Sequence, residues 1–249
     1  MEHWELVLIF LMIAFVYSSV GFGGGSSYLA VLAMYSLPYQ EIRLTALICN
    51  VIVVVGGVII YIRNNQVDWR KILPLTLISV PMAYLGAIMK LSQETFFMIL
   101  GITLVIAAIL LWLQTGNRPE AERTDQGKTG VVQNSLLGGG IGFLSGLVGI
   151  GGGIFLSPLL NLIKWDTAKK IAATSSVFIL INSISGIAGQ FSKLSVEMNF
   201  SRIGILCLSV LLGGQLGSRM SIKWNPLIVK RMTAVLVLIA GINVLIKYW

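Results

Sequence analysis

Val20-Gly21-Phe22-Gly23-Gly24-Gly25 is matched, 128 residues further along a chain of 249, by Val148-Gly149-Ile150-Gly151-Gly152-Gly153. Each cluster interrupts an apolar run. Glycine tolerates positive φ and leaves main-chain N–H groups uncovered, so each cluster is expected to end one helix and start another, at about Ser26 and about Ile154. The apolar stretches that follow, 26–37 and 154–163, are too short to cross a bilayer, which takes about 20 residues. The pattern is that of a broken helix, and it occurs twice.

Working outward, further apolar segments run over 5–20, 42–62, 71–90, 95–113, 131–148, 171–191, 201–219 and 228–247. The chain is 56% hydrophobic and 11% charged, where a soluble domain carries about a quarter charged residues. Mean hydropathy is +0.87. Too little polar surface exists for a water-soluble sphere, which argues against soluble enzymes and nucleic-acid-binding modules; the net charge of +8 is scattered between apolar runs. The run 5–20 does not read as a cleavable leader, because Met1–Glu5 lacks Lys and Arg and no small-residue cleavage pattern follows. Trp4, Trp69, Trp112, Trp165, Trp224 and Trp249 fall at segment ends, as expected of an interfacial belt. Cys49 and Cys207 lie in apolar stretches and read as buried hydrophobes. The one histidine, His3, leaves no basis for histidine catalysis, haem ligation or zinc chemistry, and no metal or cofactor is expected.

The duplication extends beyond the glycines. Asp68-Trp69 and Leu85-Gly86 match Asn199-Phe200 and Leu216-Gly217 at an offset of 131. The chain divides into a first repeat (1–113), a polar linker (114–130) expected to be cytoplasmic, and a second repeat (131–249). The fold class is all-α, a polytopic integral membrane protein. If every broken segment crosses once, eight crossings and parallel halves result, with nine of the 18 Lys and Arg on each side. If each is a re-entrant hairpin, Arg43, Lys90, Lys193, Arg202 and Lys247 face one side and the other thirteen of the 18 face the opposite side. The positive-inside rule favours the second arrangement, an inverted repeat with both termini outside. Parallel halves are the alternative.

Re-entrant backbone is tolerated at membrane depth only inside protein or beside a water-filled cavity. Two opposed tips would meet near the midplane and offer helix-start N–H groups to an anion, without a buried lysine or arginine. Gly23, Gly24, Gly25, Ser26 and Ser27, with Gly151, Gly152 and Gly153, are the candidate binding residues. The competing role of glycine is close helix packing, for which Gly138xxxGly142, Gly142xxxGly146 and Gly213xxxGly217 are the better candidates. A dinucleotide fingerprint is excluded, since Gly21-x-Gly23-x-x-Ser26 lacks the third glycine and follows a long apolar helix. Asn50, Thr174, Ser175, Ser176, Asn182, Gln190 and Gln215 are the polar groups within apolar runs, available either to the anion or to helix–helix bonding. Asn50 and Thr174–Ser176 are read as occupying comparable places after each hairpin. No carboxylate lies mid-span, so a proton relay through an acid is not supported.

The duplicated glycine motif, Ala46-x-x-x-Asn50, Ala173-Thr-Ser-Ser176 and Leu216-Gly-Ser-Arg219 resemble the sulfite exporter TauE/SafE family, part of the 4-toluene sulfonate uptake permease group. The resemblance covers nearly the whole chain. It implies an inner-membrane transporter, expected to act as an exporter, of sulfite, sulfonates or related anions; an enzyme is not expected, because no histidine or acid accompanies the buried serines as a base. An anion channel or a permease for other small organic anions is the alternative. Cys49-Asn50 stands where the second half is read as Thr174-Ser175, so a symmetric site is not expected. The expected partners are a small anion and the lipid bilayer, not nucleic acid; a homo-oligomer is left open.

Overall fold

The computed structural model describes residues 4–19, 21–35, 37–114, 130–192, 198–220 and 226–248. The linker assignment, and the belt roles of Trp224 and Trp249, lie outside the described residues. What is described contains ten helices and no strand. They are α1 (Glu5–Ser18), α2 (Gly25–Met34), α3 (Tyr39–Arg63), α4 (Trp69–Ile88) and α5 (Gln93–Gln114). In the second half they are α6 (Val131–Val148), α7 (Gly153–Leu162), α8 (Ala168–Phe191), α9 (Phe200–Met220) and α10 (Pro226–Tyr248).

Six of these, α3, α4, α5, α8, α9 and α10, are long and apolar enough to cross a membrane. Their outer faces carry exposed aliphatic side chains such as Leu77, Ile106, Leu212 and Ile246, which water would penalise and lipid would not. This is a multi-pass membrane protein.

The glycine clusters break the short helices in the same way. Gly21 and Gly149 adopt φ of +81° and +87°, and the chain wraps back so that the Phe22 amide reaches Tyr17 O at 2.9 Å and the Ile150 amide reaches Ser145 O at 3.3 Å. This wrap satisfies carbonyls at a helix C-terminus. The next helix then starts from left-handed Gly24 and Gly152.

In both cases the second arm returns beside the first. Tyr35 at the end of α2 meets Glu5 at the start of α1 (3.4 Å), Phe10 stacks on Tyr28, and Tyr17 bonds Ser27 at 2.7 Å. In the second half, Trp165 donates from Nε1 to Asn134 Oδ1 at 3.2 Å, closing the base of the α6–α7 hairpin. Trp165 is therefore not part of a lipid belt. It is 2% exposed, with the Lys71 ammonium 5.4 Å from its ring centre, because the hairpin base needs an indole donor for a buried amide. Trp4, Trp69 and Trp112 are exposed, as the belt reading expects.

The halves interlock. The α6 arm lies on α4, and α1 lies on α9. Gly138, Gly142 and Gly146 abut the backbone of Leu75, Ser79 and Ala83, while Gly213 and Gly217 abut that of Leu11 and Phe15. These are the close-packing stripes expected from the sequence. Every principal helix pair has its counterpart with the halves exchanged: α4–α8 with α3–α9, α2–α3 with α7–α8, α5–α7 with α2–α10. Even the ion pairs repeat. Lys71 of α4 holds Asp166 before α8 at 2.7 Å, and Arg202 of α9 holds Glu41 of α3 at 3.0 Å. The central helices α3 and α8 run antiparallel: Gly186 faces Leu47, Gly151 lies between Asn50 and Ser183, and Gly21 lies between Tyr61 and Ala172.

Candidate functional site

The two tips converge on one side chain. Asn50, fully buried on α3, accepts a hydrogen bond from the Gly25 amide through Oδ1 (2.9 Å) and donates from Nδ2 to Ile150 O (2.7 Å). A side-chain amide can receive an N–H through its oxygen and serve a carbonyl through its nitrogen at once, and the chemistry of the partners fixes its orientation. One tip thus supplies the donor and the other the acceptor. Space around the amide is closed: a Cβ on Gly23 or Gly25 would overlap Asn50, and one on Gly151 would approach its Nδ2 to 2.8 Å. Glycine at Gly23 and Gly25 is required by this close approach, not by φ.

The remaining expected residues separate into groups. Ser26 and Ser27 are turned to Tyr17 of their own hairpin, at 3.3 and 2.7 Å. Ser176 donates to Gly21 O and Ala172 O, both 2.9 Å, and so ties the first tip to α8. Ser175 is buried with an unpartnered hydroxyl, and its carbonyl lies beside Gly153. Thr174 is buried on the same helix. Asn182 donates to Ser79 Oγ (3.0 Å) and Phe178 O (2.8 Å), joining α8 to α4 rather than to a tip. Gln190 lies towards the end of α8 in a cleft with Arg43, and Gln215 is exposed on α9 over Gly56. Neither amide belongs to the tip cluster.

Two serines that the sequence did not single out do belong to it. Ser183 Oγ stands beside Gly151, Ser145 packs against Gly152, and both hydroxyls are buried and unpartnered. Beside the first tip the Ser26 and Ser27 hydroxyls are engaged and only that of Tyr28, against Gly24, has no partner, whereas the Ser145 and Ser183 hydroxyls beside the second are both unpartnered, so the cluster is asymmetric. The assumed correspondence of Asn50 with Thr174–Ser176 also shifts. Ile179 packs on Gly151 and Gly153 as Asn50 packs on Gly23 and Gly25, and Ala172 faces Gly21 as Arg43 faces Gly149. Arg43 itself is a further departure from expectation. It is 2% exposed, a buried arginine close to the second tip, where none was expected. Its position five residues into α3 made it look like a segment-end charge.

A duplicated bundle with two broken hairpins and a buried polar contact between their tips defines a polytopic membrane transporter. The chain belongs to the sulfite exporter TauE/SafE family, whose sequence profile matches residues 6–244. It is 31% identical over 248 residues to the probable membrane transporter protein y4hK of Sinorhizobium fredii, covering 98% of each chain. It is 28% identical to the probable membrane transporter protein YunE of Bacillus subtilis, covering 94% of each. It is 22% identical to the probable membrane transporter protein MJ0441 of Methanocaldococcus jannaschii, over 97% of this chain and 94% of the relative. No solved structure matches the chain.

Proposed function

We propose that the protein exports small sulfur-containing anions, sulfite or organosulfonates, across the inner membrane, binding them between the two hairpin tips. The observation that carries this reading is the Asn50 bridge from Gly25 N–H to Ile150 O. It holds a helix-start donor, the kind of group that binds oxyanions, beneath a side chain that can leave. In this arrangement the tips are closed on each other. An anion oxygen would replace Oδ1 as the acceptor for the Gly25 amide. The Asn50 amide, released, would offer its own N–H groups, and the free hydroxyls of Ser183 and Ser145 complete a donor set for a three-oxygen guest. Gly24 and Gly152 let the tips bend as the bridge opens.

The topology we infer is the inverted repeat. It is supported by hairpins whose arms fold back on themselves and by the antiparallel course of the equivalent helices α3 and α8; parallel halves would place those helices in the same direction. Among the described residues Arg43, Lys90, Arg202 and Lys247 lie towards the end of the bundle where α3 begins, and Arg63, Arg70, Lys71, Lys164, Lys169, Lys170, Arg219, Lys230 and Arg231 towards the other. The positive-inside rule then puts the second end in the cytoplasm and both termini outside. No reaction step is assigned to the chain.

The test is saturable uptake of radiolabelled sulfite, thiosulfate, taurine and sulfoacetate by proteoliposomes, with carboxylates as controls. Saturation with one sulfur anion, abolished in Asn50→Ala, is expected. Flux that stays linear with concentration would assign a channel instead, and uptake of carboxylates alone would overturn the substrate class.

A further inference from the structure

Among the described lysines and arginines, Arg43 alone is buried. Its Nη2 donates to Gly146 O (2.7 Å) and Ala87 O (3.4 Å), carbonyls in the last turns of α6 and α4, where helix dipoles place partial negative charge. That accounts for one edge of the guanidinium. Its Nε–H is buried with no hydrogen-bond partner. The same is true of Gln190 Nε2 on α8, and both residues line one small open cleft. Lys90, exposed just after α4, stands at the rim. Among the described residues no carboxylate lines this cleft; the nearby Glu41 turns to Arg202.

Two unpartnered buried donors and an ammonium make a lining that supplies hydrogen bonds and positive charge. Leaving such donors unmatched costs free energy, and an oxyanion would satisfy both at once. We infer that the cleft is a second anion-binding station, separate from the tips, for a small sulfate- or phosphate-like oxyanion held by Arg43 Nε–H and Gln190 Nε2–H with Lys90 at its edge. Ala172 occupies the place of Arg43 in the other half, so the station exists at one end of the bundle only. The backbone of Arg43 packs within 3.3 Å of a Cβ position on Gly149, which sets the station beside the second tip.

The cleft opens where the bundle meets the membrane surface, so the guest is either a free anion or a lipid phosphate. Isothermal titration of the detergent-purified chain with sulfate and with sulfite tests the first. The same titration in nanodiscs of phosphatidylcholine, with and without phosphatidylglycerol, tests the second, since a headgroup in the cleft would compete. Gln190→Leu is expected to weaken binding about tenfold and Lys90→Gln about threefold. Gln190→Leu leaves the melting temperature without anion unchanged or higher, because it removes an unmatched donor; a purely structural role would lower it. Asn50→Ala retains this binding event even if it loses transport, which separates the station from the tip site. Wild-type affinity in both cleft variants, or no binding of sulfate, sulfite or phosphatidylglycerol by the wild type, would overturn the inference.

Discussion

Replacing Asn50 by alanine tests the meeting of the tips most directly. The substitution deletes one acceptor and one donor, leaving the Gly25 amide and the Ile150 carbonyl facing each other's hairpin with no partner in a fully buried place. Each orphaned buried group costs about 1–3 kcal/mol, so the loss is about 2–6 kcal/mol. On the scale of soluble chains of this length, that lowers the melting temperature by about 4–24 °C. Ser27→Ala is the matched control. It removes one buried hydroxyl bond, to Tyr17 at 2.7 Å, within the same hairpin but leaves the tip-to-tip bridge intact, at about 1 kcal/mol. Both variants are purified in the same detergent and melted by tryptophan fluorescence, and both are reconstituted for uptake. The reasoning predicts that Asn50→Ala is clearly the less stable and loses saturable transport, while Ser27→Ala keeps it. If Asn50→Ala melts no lower than Ser27→Ala and transports at the wild-type rate, the bridge is not a structural or functional joint.

Three other outcomes follow from the packing and the charges. Gly142→Val on α6 drives a side chain into the backbone of Ser79, 2.6–2.7 Å from the Cβ position, and should yield aggregated protein by fluorescence-detected size exclusion, whereas Gly140→Val on the same helix meets nothing within 4 Å and should elute as wild type. Burial works to raise the Asp166 pKa, but the hydrogen bonds from Lys71 and the Thr167 amide and the charges of Lys71 and Lys170 outweigh it, so the carboxyl titrates below its usual 3.8. A depressed carboxylate pKa stabilises the fold above the unfolded value and loses that contribution as pH falls through the folded one. The melting-temperature advantage of wild type over Asp166→Asn should therefore hold at pH 5 and shrink below about pH 4; an advantage that grows on acidification would contradict the pairing. A cysteine placed at Asp125 should react with membrane-impermeant maleimide only after the cells are opened, and labelling of intact cells would reverse the proposed orientation.

Much of this molecule could be read from covalent order. Ten apolar segments became ten helices with boundaries shifted by a few residues, because the cost of an exposed backbone in lipid leaves helix as the one local solution for each run. The break at Gly21–Gly25 and its echo at Gly149–Gly153 were equally legible, since positive φ at Gly24 and Gly152 is a property of the residue type. The stripes on α6 and α9 followed from spacing alone, as i, i+4 glycines always share a face.

Tertiary structure decided which polar groups keep company. Asn50 and Gln190 look alike as amides within apolar runs, yet one joins the two tips and the other sits in a cleft with Arg43. Trp165 and Trp69 both mark segment ends, but only the first is enclosed by a neighbouring hairpin. Ser183 and Ser145 gave no signal because their significance lies in standing against the glycines of the second tip once the chain has folded back on itself. A sequence fixes which face of its own helix a residue shares. What that face meets depends on helices packed from elsewhere, and the contacts that join the halves, Asn50 to Ile150, Ser176 to Gly21 and Arg43 to Gly146, appear only once those helices are in place.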